Sequence, residues 1–140
     1  MFKHILVPTD LTDKSKKALE IAGEMAVSND PHWVTLLHVI ETIEDAESQE
    51  FEDFYEKLKQ RAEKEMHEMT RTCEQDNIAV NTRIEYGNRV REIVKFAHDN
   101  DVDLIILSSH RLDEADPAQG WATISYKVGI LAHCPVMMVK

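Results

Sequence analysis

The sequence predicts a single α/β domain, a parallel sheet with helices on both faces, and two observations carry that prediction. Short, nearly continuous apolar runs alternate along the chain with longer stretches of helical period. Several of those runs lack the apolar-polar alternation of a half-exposed strand, which is the pattern of a strand buried on both faces. Strand-helix alternation then builds right-handed βαβ units and so a doubly wound sheet. A chain of 140 residues suits one core. There is no internal repeat and no Pro- or Gly-rich linker, so residues 1–140 read as one domain.

Ile5–Val7 reads as the first strand. Thr12 or Asp13 then offers a side-chain oxygen to cap a helix whose buried stripe is Ala18, Ile21, Ala22 and Met25, the i, i+3, i+4, i+7 rule. Val34–Ile40 is the second strand, and the acidic, aperiodic segment Glu41–Glu50 is expected to be a mobile connection near the mouth of any site. Phe51, Phe54, Tyr55, Leu58, Ala62, Met69 and Cys73 form a long helical stripe. Ile78–Tyr86 is the third strand, after which Asn88 caps a helix striped by Val90, Ile93, Val94 and Ala97. Leu104–Leu107 is the fourth strand. It runs into Ser108-Ser109-His110-Arg111 and a loop rich in Asp, Pro and Gly, before a helix marked by Ile124, Val128 and Leu131. Val136–Val139 closes the chain as the fifth strand.

The balance of 26 acidic to 16 basic residues gives a formal charge of −10. That argues against duplex nucleic acid, which demands clustered Lys and Arg, and against an anionic membrane surface. No apolar run approaches the roughly 20 residues that span a bilayer. The opening Met1–Pro8 segment reads as a strand rather than a signal peptide. Cys73 and Cys134 show no CxxC spacing and sit among apolar residues, so they read as buried thiols in a reducing cytoplasm.

In an open α/β sheet, ligands bind beyond the carboxyl ends of the strands, and a helix N-terminus there offers free N–H groups to a phosphate. The loop from Ser108 to Thr123 fits that description. The seven histidines lack metal-ligand spacing, and His110 is the one placed in this loop. The GxSxG elbow, P-loop and GxGxxG fingerprint are absent, with glycines scattered at 23, 87, 120 and 129. Trp33 and Trp121 read as packing residues at element ends; Met66, Met69, Met137 and Met138 read as core or interface filler.

Ile5-Leu6-Val7-Pro8-Thr9-Asp10, Leu36-Leu37-His38-Val39, Gly87-Asn88, Asp103-Leu104-Ile105-Ile106 and Cys134-Pro135-Val136, in this order, resemble the universal stress protein family over essentially the whole chain. The resemblance implies five parallel strands in the order 3-2-1-4-5 with four helices, an adenine-nucleotide alpha-hydrolase-like fold, and a homodimer. It implies ATP or AMP as ligand, held by Pro8, Thr9 and Asp10 after the first strand, Val39 through its backbone, Ser108, Ser109, His110 and Arg111 after the fourth, and Ala122, Thr123 and Ile124 at the last helix. ATP-binding members carry a Gly-x-x-Gly loop and a later Gly-Ser or Gly-Thr. Here Ser108, Arg111 and Ala122 stand at those glycines, with Thr123 at the hydroxyl position, Gly120 two positions early and the loop one residue longer. Arg111 is the severe change, costing about 1–2 kcal/mol if that position is left-handed. Its guanidinium forks onto a phosphate or pairs with Asp113, Glu114 and Asp116, and both readings stand. Asp10 is equally at home as a turn former, and Thr123 and Ser125 as caps of the last helix.

Three functions remain open. The first is a stress-response regulatory or protective module that has lost ATP binding and works through protein contacts, which the altered glycine pattern favours. The second is an adenine-nucleotide binding module, and the third slow ATP hydrolysis, for which only Asp10 and His110 offer chemistry. The last strand, Val136–Val139, is expected at a sheet edge, where pairing with its symmetry mate would give a two-fold dimer.

Overall fold

The computed structural model describes residues 2–28, 33–42, 49–75, 78–109 and 121–140. Strand β1 (His4–Pro8) leads to α1 (Lys14–Ser28), β2 (Trp33–Glu41), α2 (Gln49–Gln75), β3 (Val80–Gly87), α3 (Arg89–Asp99), β4 (Leu104–Ser108), α4 (Trp121–Leu131) and β5 (Val136–Val139). The sheet is parallel throughout, in the order β3-β2-β1-β4-β5. Every predicted element is present, with limits shifted by a few residues. The largest shift is at β3, which starts at Val80 rather than Ile78, while Ile78 closes the end of α2 by donating its N–H to the Cys73 carbonyl at 2.9 Å.

β1 and β4 are buried along their whole length, as continuous apolar runs require. Alternate strand residues feed two cores. Ile5, Val7, Val34, Leu36, Leu104 and Ile106 pack against Ala18, Leu19 and Ala22 of α1 and Met66, Met69 and Cys73 of α2. Leu6, Leu37, Val39, Ile105 and Leu107 pack against Ile93, Phe96 and Ala97 of α3 and Val128 of α4. Burying each large side chain stabilises the fold by about 1.5–3 kcal/mol. β3 and β5 are the sheet edges. No helix among the described residues is long and apolar enough to cross a membrane.

Two caps differ in kind. Asn88 Oδ1 accepts from the Arg91 N–H at 3.0 Å, as expected, following Gly87, whose φ of 143° is open to glycine. Ahead of α1 the Thr12 carbonyl accepts from the Ser15 N–H at 3.1 Å, Thr12 donates its N–H and hydroxyl to Asp10 Oδ1, and Asp13 pairs with Lys16 at 3.0 Å. Trp33 is likewise 43 % exposed, with its ring 5.1 Å from that of His4. Cys73 lies in the core, whereas Cys134 is half-buried at the rim of the second core, and burial pushes its thiol pKa up. Residues 43–48 of the acidic connection lie outside the described residues.

Candidate functional site

The chain order leaves β1 for β2 in one direction and for β4 in the other, so the sheet reverses between β1 and β4. Beyond the carboxyl ends of such neighbouring strands a crevice opens. β1 ends opposite Leu37 of β2, and the Thr9 N–H continues the ladder by donating to the Leu37 carbonyl at 2.8 Å. Pro8, Thr9, Val39, Ser108 and Ser109 are all buried in this region of the sheet, and Asp10 is half-buried.

The turn after β1 is built by its own side chains. Thr9 Oγ1 accepts from the Leu11 N–H at 2.9 Å and points its proton at Met69 Sδ, 4.0 Å away. Asp10 Oδ1 accepts from the Thr12 N–H (3.0 Å), the Thr12 hydroxyl (2.6 Å) and the Ser15 hydroxyl (2.9 Å). Between them Leu11 is held at φ 68°. A left-handed leucine costs about 1–2 kcal/mol, so these bonds over-determine the turn. The Asp and Thr side chains singled out in the sequence are thus engaged in shaping the loop.

His38 is the residue that sequence reasoning passed over. Its Nδ1 lies 2.9 Å from the Thr9 carbonyl, which can only accept, so Nδ1 carries the proton. Burial lowers its pKa, with Arg89 adding to the effect, against the Thr9 hydrogen bond and the charges of Asp10 and Glu65. The ring is therefore neutral at pH 7 and buttresses the turn. A polar residue inside the apolar run Leu36-Leu37-His38-Val39 was the signal available.

At the end of β4 the Ser109 N–H donates to the Val139 carbonyl at 2.7 Å, and Ser125 donates its hydroxyl to the Ser108 carbonyl at 2.9 Å. Ser125 therefore ties α4 to β4 rather than serving the last helix as a cap. Ser108 is 2 % and Ser109 5 % exposed, and neither hydroxyl has a hydrogen-bond partner among the described residues. A buried hydroxyl left unpaired costs about 1–3 kcal/mol, and such groups are few in native proteins. Ile124, in the first turn of α4, is half-buried against the second core, so only its backbone faces a ligand role. Ala122 and Thr123 lie in the same turn, with side chains outside the description. His110 and Arg111 lie outside the described residues.

The described site offers hydroxyls, strand-end backbone and the start of a helix. These are groups that bind. Its histidine and carboxylate both serve the turn, and among the described residues no three His, Cys, Asp or Glu side chains converge as a metal site.

A family model described as the universal stress protein family matches residues 1–140. Two curated relatives come from Methanocaldococcus jannaschii. Universal stress protein MJ0531 is 26 % identical over 100 % of this chain and 83 % of its own length. Universal stress protein MJ0577 is 31 % identical over 79 % of this chain and 78 % of its own. The solved structure of MJ0577 superposes with a TM-score of 0.84 at 30 % identity, covering 100 % of this chain and 96 % of that one. A universal stress protein from Arabidopsis thaliana, solved with AMP bound, shares the fold at 21 % identity, with a TM-score of 0.69 over 99 % of this chain and 91 % of that one.

Proposed function

The chain belongs to the universal stress protein family, and from that premise we propose that it is a regulatory module that binds an adenine nucleotide, ATP or AMP, beyond the carboxyl ends of β1, β2 and β4. The observation that carries this reading is the pair of buried, unpartnered hydroxyls of Ser108 and Ser109 beside the start of α4. A buried polar group without a partner calls for an explanation, and a ligand that supplies the partner is one. The AMP held by the Arabidopsis protein of the same fold names the ligand class to test first. In this reading Asp10 at the β1–α1 turn and Val39 on the neighbouring strand lie on the adenosine side of the ligand, the Thr9 N–H and carbonyl being engaged by Leu37 and His38. Slow hydrolysis has little support, because the Asp10 oxygen Oδ1 already takes three hydrogen bonds.

Replacing Ser108 by Ala tests the reading by two opposite effects. The variant is expected to unfold at higher denaturant, since an unpaired buried hydroxyl is removed, and to bind AMP and ATP at least tenfold more weakly by calorimetry. A variant that is less stable and binds nucleotide unchanged would overturn it, because the hydroxyl would then be serving the protein alone.

A second reading concerns assembly, and a specific observation favours it. Met137 and Met138 of the edge strand β5 are 38 % and 37 % exposed. Exposed methionines on an open strand edge suit an isologous homodimer. Free Cys73 and Cys134 suit a cytoplasmic location, where thiols stay reduced.

A further inference from the structure

Helices α3 and α4 pack side by side over the second core. A cleft of about 620 Å³ runs along α3 to the end of α4, with no strand residue in its lining. Half-buried Val90 and Val94, with Leu131 at 54 % exposure, give it an apolar wall. Around that wall stand Arg91, Lys95, His98 and His133, all exposed, and among the described residues no carboxylate lines the cleft. The imidazole rings of His98 and His133, 5.9 Å apart between centroids, join the end of α3 to the segment after α4.

The basic side chains are set apart from the acidic ones of the same helix. Glu92 and Asp99 line a separate, smaller cleft beside Arg83 and Glu85 of β3, and Lys95 borders both. Arg91 and Lys95 enter no ion pair among the described residues, although the chain holds 26 acidic side chains against 16 Lys and Arg. Neither cation serves the helix. Arg91 stands in the first turn of α3, where the helix dipole disfavours positive charge. Arg91 and Lys95, four residues apart, are like charges that repel along a helix face. An apolar wall edged by unspent cations is the complement of an acidic amphipathic segment, whose apolar side chains fill the cleft while its carboxylates pair across the edge. The guanidinium fork of Arg91 fits a carboxylate. A polynucleotide suits the cleft poorly, because a net charge of −10 repels it and no Trp, Tyr or Phe lines the cleft to stack on its bases.

We propose that this cleft docks an acidic, amphipathic segment of another protein. Val90, Val94 and Leu131 take its apolar anchors, and Arg91 and Lys95 pair with its carboxylates. A helix of about three turns matches the length of α3. The cleft shares no residue with the crevice beyond β1, β2 and β4, so docking does not depend on nucleotide binding.

The test follows the fluorescence anisotropy of a fluorescein-labelled helical peptide, with leucines at alternating three- and four-residue steps in a glutamate background, as the whole chain is added. Two matched peptides are run beside it, one with serine for leucine and one with lysine for glutamate. Saturable binding of the leucine-glutamate peptide is expected, weakened by about tenfold in Arg91→Glu/Lys95→Glu and about threefold in Leu131→Ala. The serine peptide should bind the wild-type chain far more weakly, and the charge-reversed variant should prefer the lysine peptide. Absence of saturable binding, equal affinity for the serine peptide, or affinities that neither variant moves would overturn the proposal. So would a fall in the sedimented mass of the peptide-free chain on charge reversal, which would give the cleft to a second copy.

Discussion

At the scale of the residue, the β1–α1 turn shows one of two sequence readings of Asp10 realised, that of turn former. Thr9 and Asp10 were site candidates through the family resemblance, and their place between a strand and a helix also suited a turn former. Which of their oxygens would be spent on the turn depended on Thr12, Ser15 and Leu11 folding back, and no spacing rule encodes that. The orphan hydroxyls of Ser108 and Ser109 were likewise invisible, since serine after a strand is ordinary and only burial makes it unusual. His38 yields a prediction here. Its folded pKa lies below the ordinary value of about 6.5, so the unfolded chain binds more protons as pH falls through that value. Stability from this group is complete above about pH 6.5 and is lost as pH falls toward the folded pKa, with a slope of at most about 1.4 kcal/mol per pH unit. A His38→Gln variant, which keeps a donor toward the Thr9 carbonyl, should show a flatter fall in urea midpoint between pH 7.5 and 5. Parallel curves would mean that His38 is not the group that titrates.

At the scale of the element, buried strands were the easiest part of the chain to read. β1 and β4 are apolar at nearly every position because both faces are covered, and no alternation blurs their limits. β3, an edge with Asn81, Thr82 and Arg83 exposed, was placed two residues early, because Ile78 is apolar to pack against the first core ahead of the strand. The helix starts divide in the same way. Asn88 acts locally and was predicted; the tie from the Ser15 hydroxyl back to Asp10, five residues earlier, was not. Replacing Asn88 by Ala is expected to lower unfolding free energy by about 1 kcal/mol. Its effect on AMP affinity should be negligible, because the cap opens onto α3. A loss of affinity instead of stability would place Asn88 at the ligand.

At the scale of the whole molecule, the five-stranded order puts β4 and β1 at the reversal and β5 at an edge, so one topology supplies both a crevice and an open strand edge. Alternation of elements was enough to read the two-faced sheet, while the strand order came from family resemblance rather than from periodicity. The altered glycine positions favoured loss of nucleotide binding; the buried hydroxyls beside α4 favour its retention. Assembly has its own test. A Met137→Lys variant, charging the exposed edge of β5, should sediment as a monomer where the wild-type chain sediments as a dimer. Equal masses for the two would remove β5 as the interface.

The most direct measurement of nucleotide binding is amide chemical-shift mapping of the ligand-free protein as AMP is added. Expected are saturable shifts confined to the residues around Thr9, Val39, Ser108, Ser109 and Ile124, with Asn88 and the α3 face unmoved. No shifts at millimolar AMP, or shifts centred on another face of the sheet, would contradict a nucleotide site beyond the ends of β1, β2 and β4.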